Sequence, residues 1–372
     1  MLKYEGFKPV KKYLWFVKNV EYLIVGFGIA GLSFAETLRR ANKSFVVIAD
    51  KKDGATTTSG GVLNPTVLKR FTAAWMASEF QQKAIPFYKE IERYLDDQLI
   101  SEVKIERILN SIEEQNDWMI ASDRNELKAF LNPSIESSEN ESVVAPFKLG
   151  AVKGGHVLSA SRLLASYAER LKKEGTFVKA GFDYTQVRLE ENKVHYKEWE
   201  ATHIVFAEGA KVIDNPFYPY QGPFTNKSVF IGNKGDYVIV KAPKLKVTSI
   251  LKGGMMLIPL GSDLYKIGAT YDRHVYDSAT SMEKREEILS KLNKMISCPF
   301  EVVDQVAGVR PTIKDRRPLI GALRDTPQIS FLNGLGTRGL SMAPLVSWWL
   351  FQQLEEGVEL PSAIDINRFL KP

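Results

Sequence analysis

Tyr22-Leu23-Ile24-Val25 is a continuous apolar run of strand formers, and it predicts a buried strand. It leads directly into Gly26-Phe27-Gly28-Ile29-Ala30-Gly31. Leu32, Phe34, Ala35 and Leu38 then recur at helical spacing and predict a helix reaching about Arg40. A second apolar run, Phe45–Ala49, predicts a strand that ends at Asp50. Residues 66–100 read as helix: Phe71, Ala74, Trp75, Ala77 and Phe80 share a face, Pro86 breaks in, and Tyr88, Ile91 and Leu95 continue. Residues 101–150 are mixed and polar, and Ser134–Ser142 reads as a loop. A helix over about Ser161–Lys173 follows, with Ser159 or Ser161 as its N-cap and Gly175 closing it.

Short strands alternate after that: Phe177–Ala180, Gln186–Glu190, Lys193–Tyr196 and His203–Ala207. From 229 to 275 the pattern is antiparallel, with strands at Tyr237–Lys241, Thr248–Ile250, Met256–Pro259 and Tyr265–Ala269. A helix is expected at Met282–Met295 and a strand at Gln328–Leu332. An apolar helix, Leu345–Leu354, has Pro344 before it and Gly357 at its end. The first two strands and their helix are half of a dinucleotide fold and need later parallel strands to complete them. The fold class expected is therefore α/β: a discontinuous Rossmann-type domain (19–80, 145–228 and 306–372) with an inserted, mainly antiparallel α+β substrate domain (81–144 and 229–305) and a basic leader, 1–18.

Composition narrows the chemistry. The 372 residues include 44% hydrophobic and 25% charged positions, the usage of a globular chain. A single cysteine, Cys298, excludes an intramolecular disulfide and any site needing two cysteines. Four histidines make a histidine-built metal centre a poor expectation, and none is assigned. No apolar run is long enough to span a membrane. The formal charge of +6 is weak support for a nucleic-acid partner. Lys3, Lys8, Lys11, Lys12 and Lys18 concentrate much of it in the leader, which reads as a solvated segment or an anionic surface contact. The leader lacks the features of a signal peptide, so the cytoplasm is the default location.

The glycine loop has a mechanism at each position. Gly26 permits the tight turn, Gly28 allows a pyrophosphate to approach the backbone, and Gly31 lets helix and strand pack closely. The helix N-terminus, at Ile29, Ala30 and Gly31, offers free N–H groups to phosphates. Asp50, about 20 residues further on, is placed to accept hydrogen bonds from ribose hydroxyls. Gly54-Ala55-Thr56-Thr57-Thr58-Ser59-Gly60-Gly61 is rich in hydroxyls and glycine, and reads either as a wrap around a polar cofactor or as a surface loop.

The tail carries two dense segments, Gly308-Val309-Arg310-Pro311 through Gly321, and Gly334-Leu335-Gly336-Thr337-Arg338-Gly339-Leu340 through Pro344. Together with the first glycine loop, the 55–61 loop, Ile204-Val205-Phe206-Ala207-Glu208-Gly209-Ala210 and Ile267-Gly268-Ala269-Thr270, they resemble the D-amino-acid-oxidase (DAO) family of FAD-dependent oxidoreductases, which includes glycine and sarcosine oxidases. The 334–344 segment looks most like the FAD half of the bifunctional tRNA methylaminomethyluridine enzyme. The resemblance implies FAD at Gly26, Gly28, Ile29, Ala30, Gly31, Asp50, Lys51, Thr57, Thr58, Ser59, Gly60, Gly61, Val178, Ala207, Gly209, Arg310, Gly334, Gly336, Thr337, Arg338, Gly339 and Leu340. It also implies a helix at Pro344 whose N-terminus faces the flavin. Members with covalent flavin attach it through Cys or His at set places, and no Cys follows Arg310-Pro311 here, so noncovalent FAD is expected.

The activity implied is oxidation of a C–N bond in an amine or N-substituted amino acid, by hydride transfer to flavin N5, giving an imine that hydrolyses. Arg310, Arg338, Tyr265 and Met256 are the substrate-side candidates. Arg310 reads as a planar fork for a carboxylate, or as a structural partner of Asp304 or Asp315. Arg338 reads as facing the flavin edge or substrate mouth, or as bracing a loop. Tyr265 and Tyr271 line a pocket or simply pack, and Met256 stands where many relatives have an aromatic residue. Two alternatives stay open. One is a tRNA wobble-uridine-modifying oxidoreductase, the only reading with a nucleic-acid partner. The other is a catalytically silent flavin-binding or assembly protein. The sequence leaves the substrate, electron acceptor and oligomeric state undefined.

Overall fold

A computed structural model describes residues 17–50, 54–220 and 229–370. The expected basic leader, apart from its last two residues, and Lys51 lie outside the described residues. The architecture is α/β, built on two large sheets.

The first sheet is the dinucleotide type. Lys18–Val25 sits at its centre, parallel to Phe45–Ala49 on one side and to Trp199–Phe206 on the other. Phe177–Lys179 extends the parallel order beyond Phe45–Ala49, and Ile329–Asn333 extends it beyond Trp199–Phe206. These strands come from the front, middle and end of the chain, so the sheet is assembled from distant segments, as the incomplete half-fold required. Their alternate residues feed two cores. Tyr22, Ile24, Val47, Val205 and Leu332 pack under four helices, Ile29–Arg40, Ala77–Leu95, Ala160–Lys173 and Gly339–Glu356. Leu23, Val25, Ile48 and Phe206 pack on the opposite face. Burial on both faces is why these strands read as unbroken apolar runs.

The second sheet has nine strands. One edge is the long antiparallel pair Glu301–Ile313 and Phe230–Lys241, followed across the sheet by Leu264–Gly268, Met256–Gly261, Ile250–Lys252, Ile105–Ile108 and Leu149–Val152. One face carries Val238, Val240, Leu257, Tyr265 and Ile267 under the helix Met282–Leu292. The other turns toward the 54–61 loop and the first sheet.

Four sequence expectations need correction. The helix expected over 66–100 begins only at Ala77, and Thr66–Val67 pairs with Thr72–Ala73 as a small antiparallel ribbon instead. Pro86 does not interrupt this helix. Phe80, Ala84, Phe87, Tyr88 and Ile91 form one buried stripe on both sides of it, and packing on the last helix outweighs the local cost. That stripe belongs to the core of the first sheet, although the expected boundary at 81 assigned most of it to the substrate domain. The last helix spans Gly339–Glu356, starting five residues before Pro344 (344 − 339 = 5) rather than at it. Pro344 lacks the N–H that would bond the Leu340 carbonyl. The Tyr88 hydroxyl donates to that carbonyl at 2.6 Å, so the proline leaves no orphan.

Candidate active site

The three glycines of the first loop are not equivalent. A Cβ on Gly26, whose φ is +97°, would lie 2.7 Å from the Ala207 carbonyl oxygen, and one on Gly31 would lie 2.1 Å from the Gly26 oxygen. Both are demanded by the protein's own packing. A Cβ on Gly28 would meet only Thr56 Oγ1, at 3.4 Å. Gly28 is also the N-cap of the helix Ile29–Arg40, with no side-chain cap. The Ile29 N–H is taken by Thr56 Oγ1 at 3.1 Å, whereas Ala30 and Gly31 N–H have no partner among the described residues. An uncapped helix start beside open backbone is suited to an anion.

Most of the other expected cofactor residues lie on strands of the first sheet or in the loops that follow them. Asp50 ends the strand Phe45–Ala49, with Lys211 Nζ 3.0 Å from its carboxylate. Val178 lies beside Ile48 in the adjoining strand, and Ala207 N–H bonds the Val25 carbonyl at 2.8 Å. Gly209 and Gly334 both have positive φ, and the Gly209 carbonyl accepts from Asn333 at 2.9 Å. Gly339 packs against Ile29, so the last helix begins next to the first, with Arg338 as its N-cap residue and Thr337 exposed before it. The 55–61 loop is a short helix, Ala55–Thr58, followed by a turn. Thr57 and Ser59 spend their hydroxyls on Gly54 and Thr56 carbonyls, and Thr58 Oγ1 reaches the Ala307 carbonyl at 3.3 Å. This loop therefore sits on the second sheet and joins the two halves.

On the sheet face beneath it lies the substrate-side set. Arg310 projects across Gly235, where an added Cβ would lie 2.1 Å from the guanidinium. Its Nη1 donates to the Thr270 carbonyl at 3.2 Å, with the Asn233 and Lys234 carbonyls at 3.5 and 3.4 Å. Tyr271 covers it, with the guanidinium carbon 4.6 Å from the ring centre. No ion pair to Asp304 or Asp315 forms; Asp315 pairs instead with Arg368 at 3.0 Å. Met256 is on the same face, opposite Gly268 and Lys252.

Tyr265 is the correction in this set. It is 3% exposed and lies in the core under the helix Met282–Leu292, on the other face. Strand alternation is the reason: the neighbouring Lys266 takes the inner face. Lys266 is 8% exposed, donates to the Ser59 carbonyl at 3.0 Å and lies 4.9 Å from the Tyr237 ring centre. Sequence reading missed both Lys266 and Tyr237. A lysine within an otherwise apolar strand, Leu264–Gly268, was the available signal.

Arg338 is a brace as well as a wall. Its guanidinium donates to the Asn64 carbonyl at 2.5 Å and to the Thr66 carbonyl at 2.8 Å, and burial lowers its pKa. Arg338→Met is expected to destabilise the fold by about 2–3 kcal/mol, because two carbonyls lose their donor. A thermal melt reads this; an unchanged melt would assign Arg338 to ligand contact alone.

The DAO model, described as FAD dependent oxidoreductase, matches residues 21–353. The chain belongs to this family. Among solved structures, glycine oxidase from Geobacillus kaustophilus superposes with a TM-score of 0.72 at 19% identity, covering 92% of this chain and 96% of that one. Iminodiacetate oxidase from a Chelativorans species gives 0.73 at 18%, covering 92% and 97%. The FAD-bound L-α-glycerophosphate oxidase from Mycoplasma pneumoniae gives 0.67 at 15%, covering 91% and 95%. The chain is thus a DAO-family FAD-dependent oxidoreductase, related in fold to amino-acid oxidases and dehydrogenases.

The residues present fit FAD as a DAO-family cofactor. Beyond the open Gly28 and the free helix N–H groups, two buried polar atoms, Asn233 Oδ1 and Thr312 Oγ1, have no protein partner among the described residues. Both share the face of Arg310, and Thr312 Oγ1 looks toward Gly336. Orphaned buried acceptors and donors call for a ligand's polar edge. Among the described residues no cluster suits a metal ion, and no helix is long and apolar enough to cross a membrane.

Glu208 adds a pH dependence near the cofactor loop. Burial pushes its carboxyl up to about 7, against hydrogen bonds from Tyr184 and from Asn215 Nδ2, the latter at 2.7 Å. A folded-state value above the unfolded one means that the folded chain holds a proton the unfolded chain releases. This contribution to stability is complete below about pH 4.5 and is lost as pH rises through about 7. Glu208→Gln is expected to flatten the melting temperature between pH 5 and 8; an unaltered slope would exclude Glu208 as its source.

Proposed function

We propose that this DAO-family protein oxidises the C–N bond of an amine or N-substituted amino acid whose carboxylate is held by Arg310, with FAD bound noncovalently. The supporting observation is the state of Arg310: a guanidinium laid in a glycine trough, touching three carbonyls and no carboxylate. A planar fork in that state suits a carboxylate ligand. Tyr271 covers the ion pair from the solvent side, and Met256 and Ile258 give an apolar wall that limits water around the reacting carbon. The net chemistry is loss of two electrons from the substrate's C–N unit to give an imine that water hydrolyses, with FAD, when bound, supplying the electron acceptor. The substrate nitrogen must be neutral to release those electrons, so a carboxylate anchored at Arg310 fixes the amine while leaving it free to lose its proton.

The test is anaerobic bleaching of the FAD-loaded protein against a panel of amines, N-methyl amino acids and modified nucleosides. Bleaching by carboxylate-bearing amines supports the reading. Bleaching by modified nucleosides alone would move it to tRNA wobble-uridine modification, and no bleaching by any compound would favour a silent flavin-binding role.

A further inference from the structure

The inner face of the second sheet carries a tyrosine beside Arg310 that the proposed chemistry does not use. Tyr237 lies two residues beyond Gly235 on the strand Phe230–Lys241, so both point to the inner face. The Arg310 guanidinium lies across Gly235, which brings it beside the Tyr237 side chain. The ring itself has little freedom. It rests on Gly268 of the neighbouring strand, where an added Cβ would stand 2.4 Å from ring Cδ1. Lys266 Nζ is 4.9 Å from the ring centre.

Arg310 needs a further restraint. Its three carbonyl contacts all fall on Nη1 and are long, at 3.2, 3.4 and 3.5 Å. A group held through one nitrogen pivots about it. Tyr271 stacks on the guanidinium and restrains its tilt, but stacking leaves rotation within the plane open. The Tyr237 hydroxyl is the nearby group that can supply a second point. Burial raises the pKa of this hydroxyl, and the Arg310 guanidinium and the Gly60 N–H, both facing it, oppose the rise. A phenol oxygen can accept from both. Gly60 is itself closely confined: a Cβ there would lie 2.2 Å from Ile258 Cδ1 and 3.8 Å from the Tyr237 hydroxyl. Lys266 keeps it in place. This lysine is 8% exposed, and its ammonium donates to the carbonyl of Ser59, the residue before Gly60, at 3.0 Å. The contacts thus run in series through Lys266, Ser59, Gly60, Tyr237 and Arg310.

We propose that Tyr237 is a positioning residue for substrate binding: its hydroxyl fixes the Arg310 guanidinium in the plane, so that the free edge of the fork faces an incoming carboxylate. This rests on the carboxylate reading of Arg310 and deepens it. The Ser59–Gly60 segment covers the tyrosine, so Tyr237 acts through Arg310 and not on the substrate directly. Lys266 serves the same end one step further back, by pinning that cover. A guanidinium turned out of line keeps its charge but loses one of the two parallel hydrogen bonds that make the fork selective.

The experiment uses FAD-loaded protein and methylthioacetate, a monocarboxylate that lacks an oxidisable amine, with its dissociation constant read by flavin absorbance and calorimetry. Tyr237→Phe keeps the ring on Gly268 and removes only the hydroxyl. It is expected to weaken methylthioacetate about threefold to tenfold, the scale of one hydrogen bond. The dissociation constant for FAD should change by less than about twofold, because the glycine loop is a separate site. The deciding measurement repeats Tyr237→Phe in an Arg310→Met background, where it should have no further effect on methylthioacetate. A merely structural hydroxyl would weaken the ligand by the same factor in both backgrounds, and that result overturns the proposal. So does unchanged binding in Tyr237→Phe alone; either result leaves the carboxylate site standing. If Tyr237→Phe does not fold, Lys266→Met tests the same series of contacts: it keeps the hydroxyl but frees the Ser59 carbonyl. Weaker methylthioacetate binding supports the proposal, and unaltered binding overturns it. Binding that is insensitive to Arg310→Met, or absent from the unmodified protein, overturns the carboxylate site and the proposal with it.

Discussion

Gly28→Ala is expected to weaken FAD binding about tenfold to a hundredfold while changing the stability of the FAD-free protein by less than about 0.5 kcal/mol. The added methyl meets nothing closer than Thr56 Oγ1 at 3.4 Å, and the Gly28 backbone, at φ −92°, is one that alanine adopts. What it fills is the space through which a diphosphate reaches the Ala30 and Gly31 N–H groups. Hydrogen bonds to a charged phosphate are worth about 1.5–3 kcal/mol each, which sets the size of the loss. Gly31→Ala is the contrast. Its methyl would stand 2.1 Å from the Gly26 carbonyl oxygen, so the strand and helix must separate and the fold itself suffers. Fluorescence titration with FAD and a melt of the FAD-free protein distinguish the two. If Gly28→Ala bound FAD as tightly as the unmodified protein, the anion site at this helix start would be misassigned.

Arg310→Met should raise KM for a carboxylate-bearing amine by about 10–100-fold, with FAD still bound. The guanidinium shares none of the glycine-loop contacts, so cofactor affinity has no reason to fall. Arg310→Lys should recover little, because a point charge does not reproduce a planar fork. A purely structural Arg310 predicts another pattern. Losing its bonds to the Thr270, Asn233 and Lys234 carbonyls would lower the melting temperature and leave KM unchanged. Measuring both quantities on one variant decides between them.

The cofactor half was readable because its determinants are local. Continuous apolar runs identify strands buried on both faces, and the glycine spacing identifies the loop, so Tyr22–Val25, the helix to Arg40 and Phe45–Ala49 all appear in the structure nearly where the pattern puts them. The misread stretches have the opposite character. At 66–76, apolar residues at helical spacing instead form a small ribbon and a turn, with Phe71 edge-on to Trp118. At Pro86 and Pro344, the local penalty of proline is overridden by packing and by the Tyr88 hydroxyl, which are supplied by segments far away in the chain.

The substrate side shows the same division more sharply. The sequence alone singled out Arg310 and Met256 as candidates, through motif and resemblance. It did not determine which face of Leu264–Gly268 looks inward. Tyr265 and Lys266 are adjacent, and a strand sends neighbours to opposite sides, so the assignment turns on a register of one residue. That register is set by pairing with Phe230–Lys241 and by the helix Met282–Leu292 covering the outer face. Only the tertiary structure therefore decided that the tyrosine is core and the lysine turns to the inner face. By itself the sequence determined the family, the dinucleotide loop and the FAD cofactor, because each motif behind them is written in residues close together. Which side chains share the inner face of the second sheet depends on separate strands being laid side by side.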